Sequence, residues 1–374
     1  MSSLFSPITL RSLTIKNRLV VSPMCQYSAK NGVANDWHFA HLARFGMGGF
    51  GMVMIEATSV RPEGRITYAD LGLWNDDQIA PLKRISDFLH TQGAASAIQI
   101  AHAGRKASTP LWWRGSFNET DAEKEEVGFA DWQPVAPSAI PMTATAKMPR
   151  ALTVSEIEAL PDAFAATAKR ALTAGIDCVE IHAAHGYLLN QFLSPVANKR
   201  DDHFGGSREN RMRLLLQIAE AVRSVWPVEK PLFTRISATD AIGGGWTLDD
   251  SLVLAKELKD RGVDVIDCSS GGFDGAAITA GPMYQVPYAK ALKAIPSLAT
   301  MAVGLITEPQ DAENIISNGE ADLIAIGRNA LDDPNWPLHA RQALQVSGDP
   351  YVYWPKQAGF AVRNKDRALG RFKG

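Results

Sequence analysis

Eight short apolar runs recur along the 374-residue chain, and most of them are separated by stretches whose apolar residues repeat with a helical period. The runs cover residues 20–23, 53–57, 95–100, 178–182, 232–236, 265–269, 300–303 and 323–327, and the clearest amphipathic stretches cover residues 157–174, 208–225, 248–261 and 309–318. Repeated βα units with buried strands form parallel sheets, and eight such units close into a barrel. The pattern therefore predicts an α/β fold, a (β/α)8 TIM barrel, with residues 1–374 forming one domain.

Signals at helix starts and at the N-terminus support this prediction. Thr153, Thr247 and Thr307 are each followed three residues later by Glu, Asp or Gln, which is the spacing of a capping box or a close variant. Residues 8–20 contain two short apolar runs around a polar turn. This pattern predicts an N-terminal hairpin that closes the bottom of the barrel.

Residues 103–150 interrupt the alternation after the third predicted strand. They include Trp112, Trp113 and Trp132 and an acidic cluster at residues 121–126. A connection of this length inside a compact domain is usually a functional loop or is disordered. Because it leaves the catalytic side of the predicted barrel, we interpret it as an excursion that covers a substrate rather than as a solvated insertion.

The composition favours small-molecule chemistry. The net charge of −2 and the pI near 6.5 give no basic footprint for nucleic acid or for a membrane surface. Three widely spaced cysteines argue against a disulfide framework and fit a reducing compartment. The N-terminal residues do not resemble a secretory signal, and no apolar run approaches membrane-spanning length. These features predict a cytoplasmic protein.

The sequence His182-Ala-Ala-His185-Gly-Tyr187 follows the fourth apolar run directly. Neutral imidazoles can donate N–H groups to a polarised oxygen, and an un-ionised tyrosine can deliver a proton. The motif therefore predicts an oxyanion clamp with an acid beside it. Two alternatives remain at this point: a metal site that includes Glu180, and a purely structural histidine pair.

Two polar residues lie inside apolar strands. Gln99 stands among aliphatic residues in the third run, and Arg235 stands in the fifth. A buried arginine needs a partner, which could be a bound anion, an electron-rich heterocycle or an acidic side chain. For Gln99 the alternative to a ligand contact is a hydrogen bond to the barrel backbone.

The last two units and the first end in residues that suit a phosphate and a redox cofactor. Gly304 follows the seventh run and Gly327-Arg328 the eighth, where barrel enzymes commonly bind a phosphate. Cys25 follows the first run. It is either a small buried hydrophobe or a thiol in contact with a redox cofactor.

Taken together, these motifs resemble the Old Yellow Enzyme family of FMN-dependent ene-reductases. The resemblance extends from about residue 4 to residue 337 and rests on Ser22-Pro-Met-Cys-Gln-Tyr27, Glu56-Ala57, Gln99-Ile-Ala-His-Ala-Gly-Arg105, His182-Ala-Ala-His-Gly-Tyr187, residues 198–213 and Gly327-Arg328. Cysteine at position 25 makes the chain similar to the thermophilic-like branch, which includes the xenobiotic reductases.

The resemblance implies that FMN is bound noncovalently at the carboxyl ends of the barrel strands. It assigns cofactor contacts to Ser22, Pro23, Met24, Cys25, Ala57, Gln99, Arg235, Gly304, Gly327 and Arg328. In that assignment Arg235 faces the edge of the flavin where reduction builds up negative charge, Cys25 tunes the potential, and Gly304, Gly327 and Arg328 hold the phosphate.

The resemblance also implies a ping-pong reaction with two substrates that share one site. NADPH or NADH reduces the flavin, and an activated alkene such as an enone, nitroalkene or maleimide is then reduced. His182 and His185 would bind the carbonyl or nitro oxygen, Tyr187 would protonate the α-carbon, and Tyr27 would lie over the substrate. No metal is implied.

Relatives in this branch extend a C-terminal residue into the site of a neighbouring subunit. The resemblance therefore predicts a homodimer or homotetramer in which the tail, residues 338–374, lies at a subunit interface. Arg363 is the candidate for the inserted residue, and a solvated basic tail is the alternative.

Two other functions are compatible with parts of the pattern. One is a metal-dependent barrel hydrolase or aldolase that uses His182 and His185, and the other is a noncatalytic flavin-binding barrel. The flavin enzyme is favoured because it explains Gln99, Arg235 and Gly327 together.

Overall fold

Eight parallel strands form a closed barrel. The structure is a computed structural model that describes residues 2–111, 113 and 130–371. The barrel strands are β3 (Leu19–Val21), β4 (Met52–Ser59), β5 (Ala95–Ala101), β8 (Cys178–Ala183), β9 (Leu232–Ser237), β10 (Val265–Ser269), β11 (Ala299–Ala302) and β12 (Leu323–Ile326), and β12 pairs with β3 to close the ring. All eight predicted strands and the (β/α)8 fold are confirmed.

Helices follow most of the barrel strands. They are α1 (Asp36–Met47), α2 (Ile79–Thr91), α3 (Val154–Glu158), α4 (Leu160–Thr173), α5 (Leu188–Leu193), α6 (Arg208–Val225), α7 (Leu248–Asp260), α8 (Val286–Leu292), α9 (Pro309–Ser317), α10 (Arg328–Asp332), α11 (Trp336–Ala343) and α12 (Lys356–Ala368). No described helix has the length and apolar character needed to cross a membrane.

Two helix boundaries differ from the sequence pattern. The predicted helical stretch at residues 157–174 belongs to two helices, α3 and α4, which meet at Ala159 because Pro161 lies in the first turn of α4. Thr153 and Thr247 form the predicted capping boxes. The prediction for Thr307 is wrong, because α9 has Glu308 as its N-cap and begins at Pro309.

The predicted N-terminal hairpin is confirmed. Strands β1 (Ile8–Leu10) and β2 (Leu13–Ile15) pair antiparallel. Leu10 and Ile15 are buried against the side chains that fill the barrel at the start of its strands, a group we call the apolar plug: Val20, Met52, Met54, Ala95, Ala97, Cys178, Phe233, Val265, Met301, Leu323 and Ala325. The hairpin therefore closes the amino end of the barrel.

The excursion after β5 is described in part. Its described residues include the short parallel pair β6 (Val135–Ala136) and β7 (Arg150–Ala151). The indole N–H of Trp132 donates to the Glu63 carbonyl at 2.8 Å, and the ring of Trp113 lies 5.8 Å from the ring of Tyr27. Trp112 and the acidic cluster at residues 121–126 lie outside the described residues.

Candidate active site

A cavity of about 280 Å³ opens among the carboxyl ends of the barrel strands. Seven predicted cofactor residues and one of the two histidines lie in its wall: Ser22, Pro23, Met24, Arg235, Gly304, Gly327, Arg328 and His185. Parallel barrels place chemistry at this end because all eight βα loops converge there. The structure thus brings residues from the first, fifth, seventh and eighth strand ends to one site.

The wall of the cavity has room and polar groups for a ligand. The atoms nearest to a Cβ placed on Gly327 belong to Met24 and Ser22, at 3.7 Å or more, so the backbone here leaves an open cradle. The Ser22 hydroxyl is buried without a hydrogen-bond partner among the described residues. A buried polar atom of this kind is commonly satisfied by a bound ligand or water. These observations fit FMN at the predicted position.

His185 is held in a strained turn directly after β8. It has φ of +60°, in the left-handed region that costs a non-glycine residue energy. Its amide N–H donates to the Ser237 hydroxyl at 2.9 Å, and its carbonyl accepts from Lys106 Nζ at 2.7 Å. The same ammonium donates to the Gly272 carbonyl at 2.6 Å. Lys106 therefore joins the two loops that carry His185 and Gly272.

The three residues of the predicted clamp lie together. The ring of His182 is 5.2 Å from the ring of His185 and 5.1 Å from the ring of Tyr187, measured between centroids. Tyr187 and Tyr27 pack with Cys25 beside a small apolar cluster. The sequence prediction that these side chains share one site is supported by their positions.

Burial decides the protonation of this group. Desolvation and the nearby Arg235 charge lower the pKa of His182 and of His185 well below the ordinary value, so both imidazoles are neutral near pH 7. Desolvation raises the pKa of Tyr187, which keeps its phenol protonated. A neutral imidazole still has one N–H to donate. The site can therefore bind an oxygen and supply a proton.

Cys25 lies in a loop that is tied to the second barrel strand. The Gln26 amide donates to the buried carboxyl of Glu56 at 3.0 Å, and Tyr27 adopts a left-handed φ of +46°. Burial, with a smaller effect of Glu56, raises the pKa of the Cys25 thiol well above its ordinary value. The thiol is thus neutral, a weak donor rather than a nucleophile.

Arg235 and Gln99 have acidic partners inside the barrel. Arg235 Nε lies 3.1 Å from Asp267 Oδ2, so the arginine both lines the cavity and forms a buried ion pair. Gln99 Nε2 donates to Glu180 Oε1 at 2.8 Å. The alternative that Gln99 bonds to the barrel backbone is wrong. One carboxyl oxygen of Glu180, the ligand considered in the metal hypothesis, accepts this bond from Gln99.

No group of three or more His, Cys, Asp or Glu side chains is arranged to hold a metal ion in the part of the chain that the structure describes.

Several residues of the site were not predicted. His185 Nε2 lies 2.6 Å from the Ser269 hydroxyl, which has Gln285 Oε1 as a second neighbour at 3.1 Å. When Ser269 donates to Nε2, the N–H of the neutral imidazole is on Nδ1 and can be donated to a substrate oxygen. Asp267 and Ser269 were detectable in principle, since both are polar residues at alternate positions of the sixth apolar run. Gln285 and Lys106 had no such signal, because both lie outside the apolar runs, Lys106 at the end of a short 3-10 helix and Gln285 in a turn.

The C-terminal candidate Arg363 lies in α12. It pairs with Asp349 and its guanidinium lies 5.9 Å from the Tyr351 ring centroid, all within the same chain. Its insertion into a neighbouring subunit stays a prediction.

Comparison with known proteins places the chain among flavin enzymes. Residues 3–346 match the NADH:flavin oxidoreductase / NADH oxidase family. The chain is 46% identical to an NADPH dehydrogenase of Bacillus cytotoxicus over 355 residues, which is 94% of this chain and 96% of that protein.

Solved structures agree with this. Morphinone reductase superposes with a TM-score of 0.76 at 26% identity, covering 95% of this chain and 93% of the other. A 2-naphthoyl-CoA reductase superposes with a TM-score of 0.81 at 27% identity over 94% of this chain, which spans 53% of that longer chain. The chain belongs to the NADH:flavin oxidoreductase / NADH oxidase family, the family of the Old Yellow Enzyme that its motifs resemble.

Proposed function

We propose that this chain, an FMN-dependent NAD(P)H oxidoreductase, reduces the activated C=C bonds of enones, nitroalkenes and maleimides. The observation that carries the proposal is the grouping of two neutral imidazoles, His182 and His185, with the protonated phenol of Tyr187. A conjugated alkene needs an oxygen-binding group and a proton source when it accepts hydride. These three side chains supply both.

Ten residues are proposed to hold the cofactor. Pro23, Met24, Cys25, Ala57, Gln99 and Arg235 contact the isoalloxazine, Gly304, Gly327 and Arg328 bind the phosphate, and Ser22 is a further cofactor contact. Eight of the ten are either in the cavity wall or bonded to Glu180 inside the barrel. Bound FMN supplies the hydride chemistry, because it accepts hydride from NADPH or NADH and returns it to the alkene.

The protein side chains act on the substrate oxygen and on the α-carbon. His182 and His185 donate N–H groups to the carbonyl or nitro oxygen, whose negative charge grows in the transition state. Removal of one such donor costs about 10² to 10³ in rate in oxyanion sites generally. Tyr187 delivers the proton to the α-carbon, and its hydroxyl remains protonated because its pKa is raised.

Cys25 and Tyr27 define the other side of the site. The thiol of Cys25, which is neutral because burial raises its pKa, would lie against bound FMN and tune its potential without a covalent bond. Tyr27, whose ring lies 5.8 Å from the tilted ring of Trp113 in the excursion, covers the substrate. This contact supports the interpretation of residues 103–150 as a covering segment of one FMN-binding domain, residues 1–374.

The cellular location and the assembly of the protein are also proposed. A cytoplasmic location fits the three free cysteines, of which Cys178 and Cys268 are buried. A homodimer or homotetramer fits the exposed apolar side chains of the C-terminal segment, among them Val352 and Phe360. Arg363 is a candidate for an intersubunit contact only if its pairing with Asp349 is exchanged.

The experiment that tests the proposal separates the two half-reactions. The purified protein is loaded with FMN, reduced anaerobically with NADPH or NADH, and mixed with 2-cyclohexenone, N-methylmaleimide or a nitroalkene while the flavin absorbance is followed. We expect reduction by a nicotinamide and rapid reoxidation by the alkenes. A protein that takes up no FMN and contains stoichiometric metal would favour the hydrolase. Bound FMN that no alkene reoxidises would favour the noncatalytic barrel.

A further inference from the structure

Four polar side chains form a belt inside the barrel, directly above the apolar plug. They are Gln99 on β5, Glu180 on β8, Arg235 on β9 and Asp267 on β10. Each is two residues beyond a plug residue of its own strand, so strand alternation points it inward as well. All four are between 0% and 6% exposed. Nothing in the proposed reaction uses Glu180 or Asp267.

The belt contains one cation and two carboxyl groups. Arg235 Nε is 3.1 Å from Asp267 Oδ2, close enough for an ion pair although the two groups are not aligned as a hydrogen bond. Gln99 satisfies only one oxygen of Glu180. Glu180 Oε2 and both oxygens of Asp267 accept no hydrogen bond from the described residues. Arg235 can therefore neutralise only one of the two carboxylates.

The thiols and imidazoles around the belt add no compensating charge. On the same strands, the thiols of Cys178 and Cys268 are kept neutral because burial raises the pKa of each. Above the belt, His182 and His185 are neutral because burial lowers the pKa of each. The ammonium of Lys106, a further cation of the site, donates to the carbonyls of His185 and Gly272.

An ionised carboxylate that is buried inside the barrel without a cation is energetically unfavourable. The effective penalty for burying such an ion is several kcal/mol, so the group without a cation takes up a proton instead. Asp267 is the carboxylate in contact with Arg235. Burial raises the pKa of both carboxyls and Arg235 lowers the pKa of both, but the charge of Asp267 raises the pKa of Glu180 further. The direct contact with the guanidinium is made by Asp267, so the negative charge is placed there. The proton therefore belongs on Glu180.

We propose that Asp267, as the ionised partner of Arg235, and Glu180, as a neutral acid, together set the charge that Arg235 presents to the flavin and hence the reduction potential of bound FMN. Both are positioning residues, since they act through Arg235 and Gln99. The inference rests on the proposed function, which places Arg235 against the flavin. Reduced flavin carries more negative charge, so an uncompensated Arg235 would favour the reduced state.

The test compares the flavin midpoint potential of the wild-type holoenzyme with those of Asp267→Asn and Glu180→Gln. Asp267→Asn removes a negative charge, and we expect the two-electron reduction equilibrium to shift tenfold or more toward reduced flavin, about 30 mV more positive. Glu180→Gln replaces a neutral acid by a neutral amide of the same shape. We expect the flavin reduction equilibrium of this variant to stay within about threefold of the wild type, well short of the tenfold change expected for Asp267→Asn.

Two outcomes of this comparison overturn the inference. An equal positive shift in both variants means that Glu180 is ionised. An unchanged potential in Asp267→Asn means that Asp267 does not compensate Arg235. A merely structural role of either residue would lower the stability of the variant without moving the potential in this selective way.

A second measurement applies if either variant does not fold. Glu56 and Glu180 are the buried glutamates of the described residues. Infrared spectra of protein labelled with ¹³C-glutamate should show a protonated carboxyl stretch at neutral pH that persists in Glu56→Gln. Its absence in that variant contradicts the inference. Failure of the protein to take up FMN would contradict the proposed function. The infrared spectrum does not require flavin, so it still tests whether Glu180 is protonated.

Discussion

The two ends of the barrel interior are built from different chemistry. At the amino end the plug side chains are apolar and buried, and the hairpin residues Leu10 and Ile15 complete their packing. At the carboxyl end the inward positions carry charged and polar groups, and His185 adopts a left-handed backbone. Several buried polar atoms there, such as the Ser22 hydroxyl, have no hydrogen-bond partner within the described part of the chain. Strain and unsatisfied groups of this kind persist only where the rest of the fold compensates for them.

Residues at the start of a barrel strand and residues at its end have different roles. On β9, Phe233 packs in the apolar plug and Arg235 belongs to the polar belt. The hydroxyl of Ser237, further along the strand, accepts a hydrogen bond from the His185 amide. A single strand thus contributes stability at its start and site geometry at its end. Substitutions at the two ends should therefore affect different measurements.

The largest effect is expected for Phe233→Ala in the plug. Loss of a fully buried phenylalanine typically lowers the free energy of unfolding by about 3–5 kcal/mol, since the site collapses only in part. Chemical denaturation at a fixed FMN concentration would measure it. Val228→Ala, at a residue that is 66% exposed, is the matched control and should change stability little. A loss below about 1 kcal/mol for Phe233→Ala would contradict the role of the plug.

The second-largest effect is expected for Tyr187→Phe at the carboxyl end, on the rate of flavin reoxidation. Loss of a positioned general acid should slow the reoxidation of reduced enzyme by an enone about 10² to 10³-fold, about 3–4 kcal/mol of barrier. Reduction of the flavin by NADPH should remain nearly unchanged, because that step needs no proton from Tyr187. Stopped-flow measurement of each half-reaction gives both rates.

Tyr351→Phe is the matched control for this prediction. It removes a phenol hydroxyl that bonds to Asp366 in the C-terminal segment, outside the site, and both half-reactions should be unaffected. Equal slowing of the two half-reactions in Tyr187→Phe would show that this tyrosine is not the specific proton donor.

The smallest effect concerns the pH dependence of stability. Burial holds the pKa of His182 well below its value of 6.5 in the unfolded chain, so below pH 6.5 the unfolded state binds a proton that the native state does not. This histidine therefore costs stability as the pH falls, about 1.4 kcal/mol per pH unit. His182→Asn should lose less stability than the wild type between pH 6.5 and 5.5.

Glu56 and Glu180 act in the opposite direction, since burial raises the pKa of each carboxyl. The difference between the wild type and the His182 variant isolates the imidazole from these groups. Identical pH slopes in the two proteins would mean that His182 titrates normally in the folded state. Denaturation curves at three pH values measure the slopes.

Much of the fold was predictable because its determinants are local. Each barrel strand is a short run of apolar residues bounded by turn residues, and the observed β10 (Val265–Ser269) has the predicted bounds. The failures at Thr307 and at residues 157–174 were local as well, since Pro309 and Pro161 determine where those helices begin.

The candidate site was predictable in its residue types but not in its pairings. His182, His185 and Tyr187 lie within six residues, so their proximity follows from the chain itself. Gln99 and Glu180 are 81 positions apart, and their hydrogen bond depends on the pairing of β5 with β8. From the sequence, a backbone group remained an alternative partner for Gln99. An acidic side chain was one possible partner for Arg235, but the sequence did not identify it as Asp267.

The sequence by itself determined the eight strands, the chemical groups at their carboxyl ends and the family to which the chain belongs, because these depend on residue type and spacing. Only the tertiary structure decided which carboxyl faces Arg235, which loops Lys106 joins, and which imidazoles and acids are neutral. The physical reason is that protonation and ion pairing depend on desolvation and on neighbours that meet only when the barrel closes.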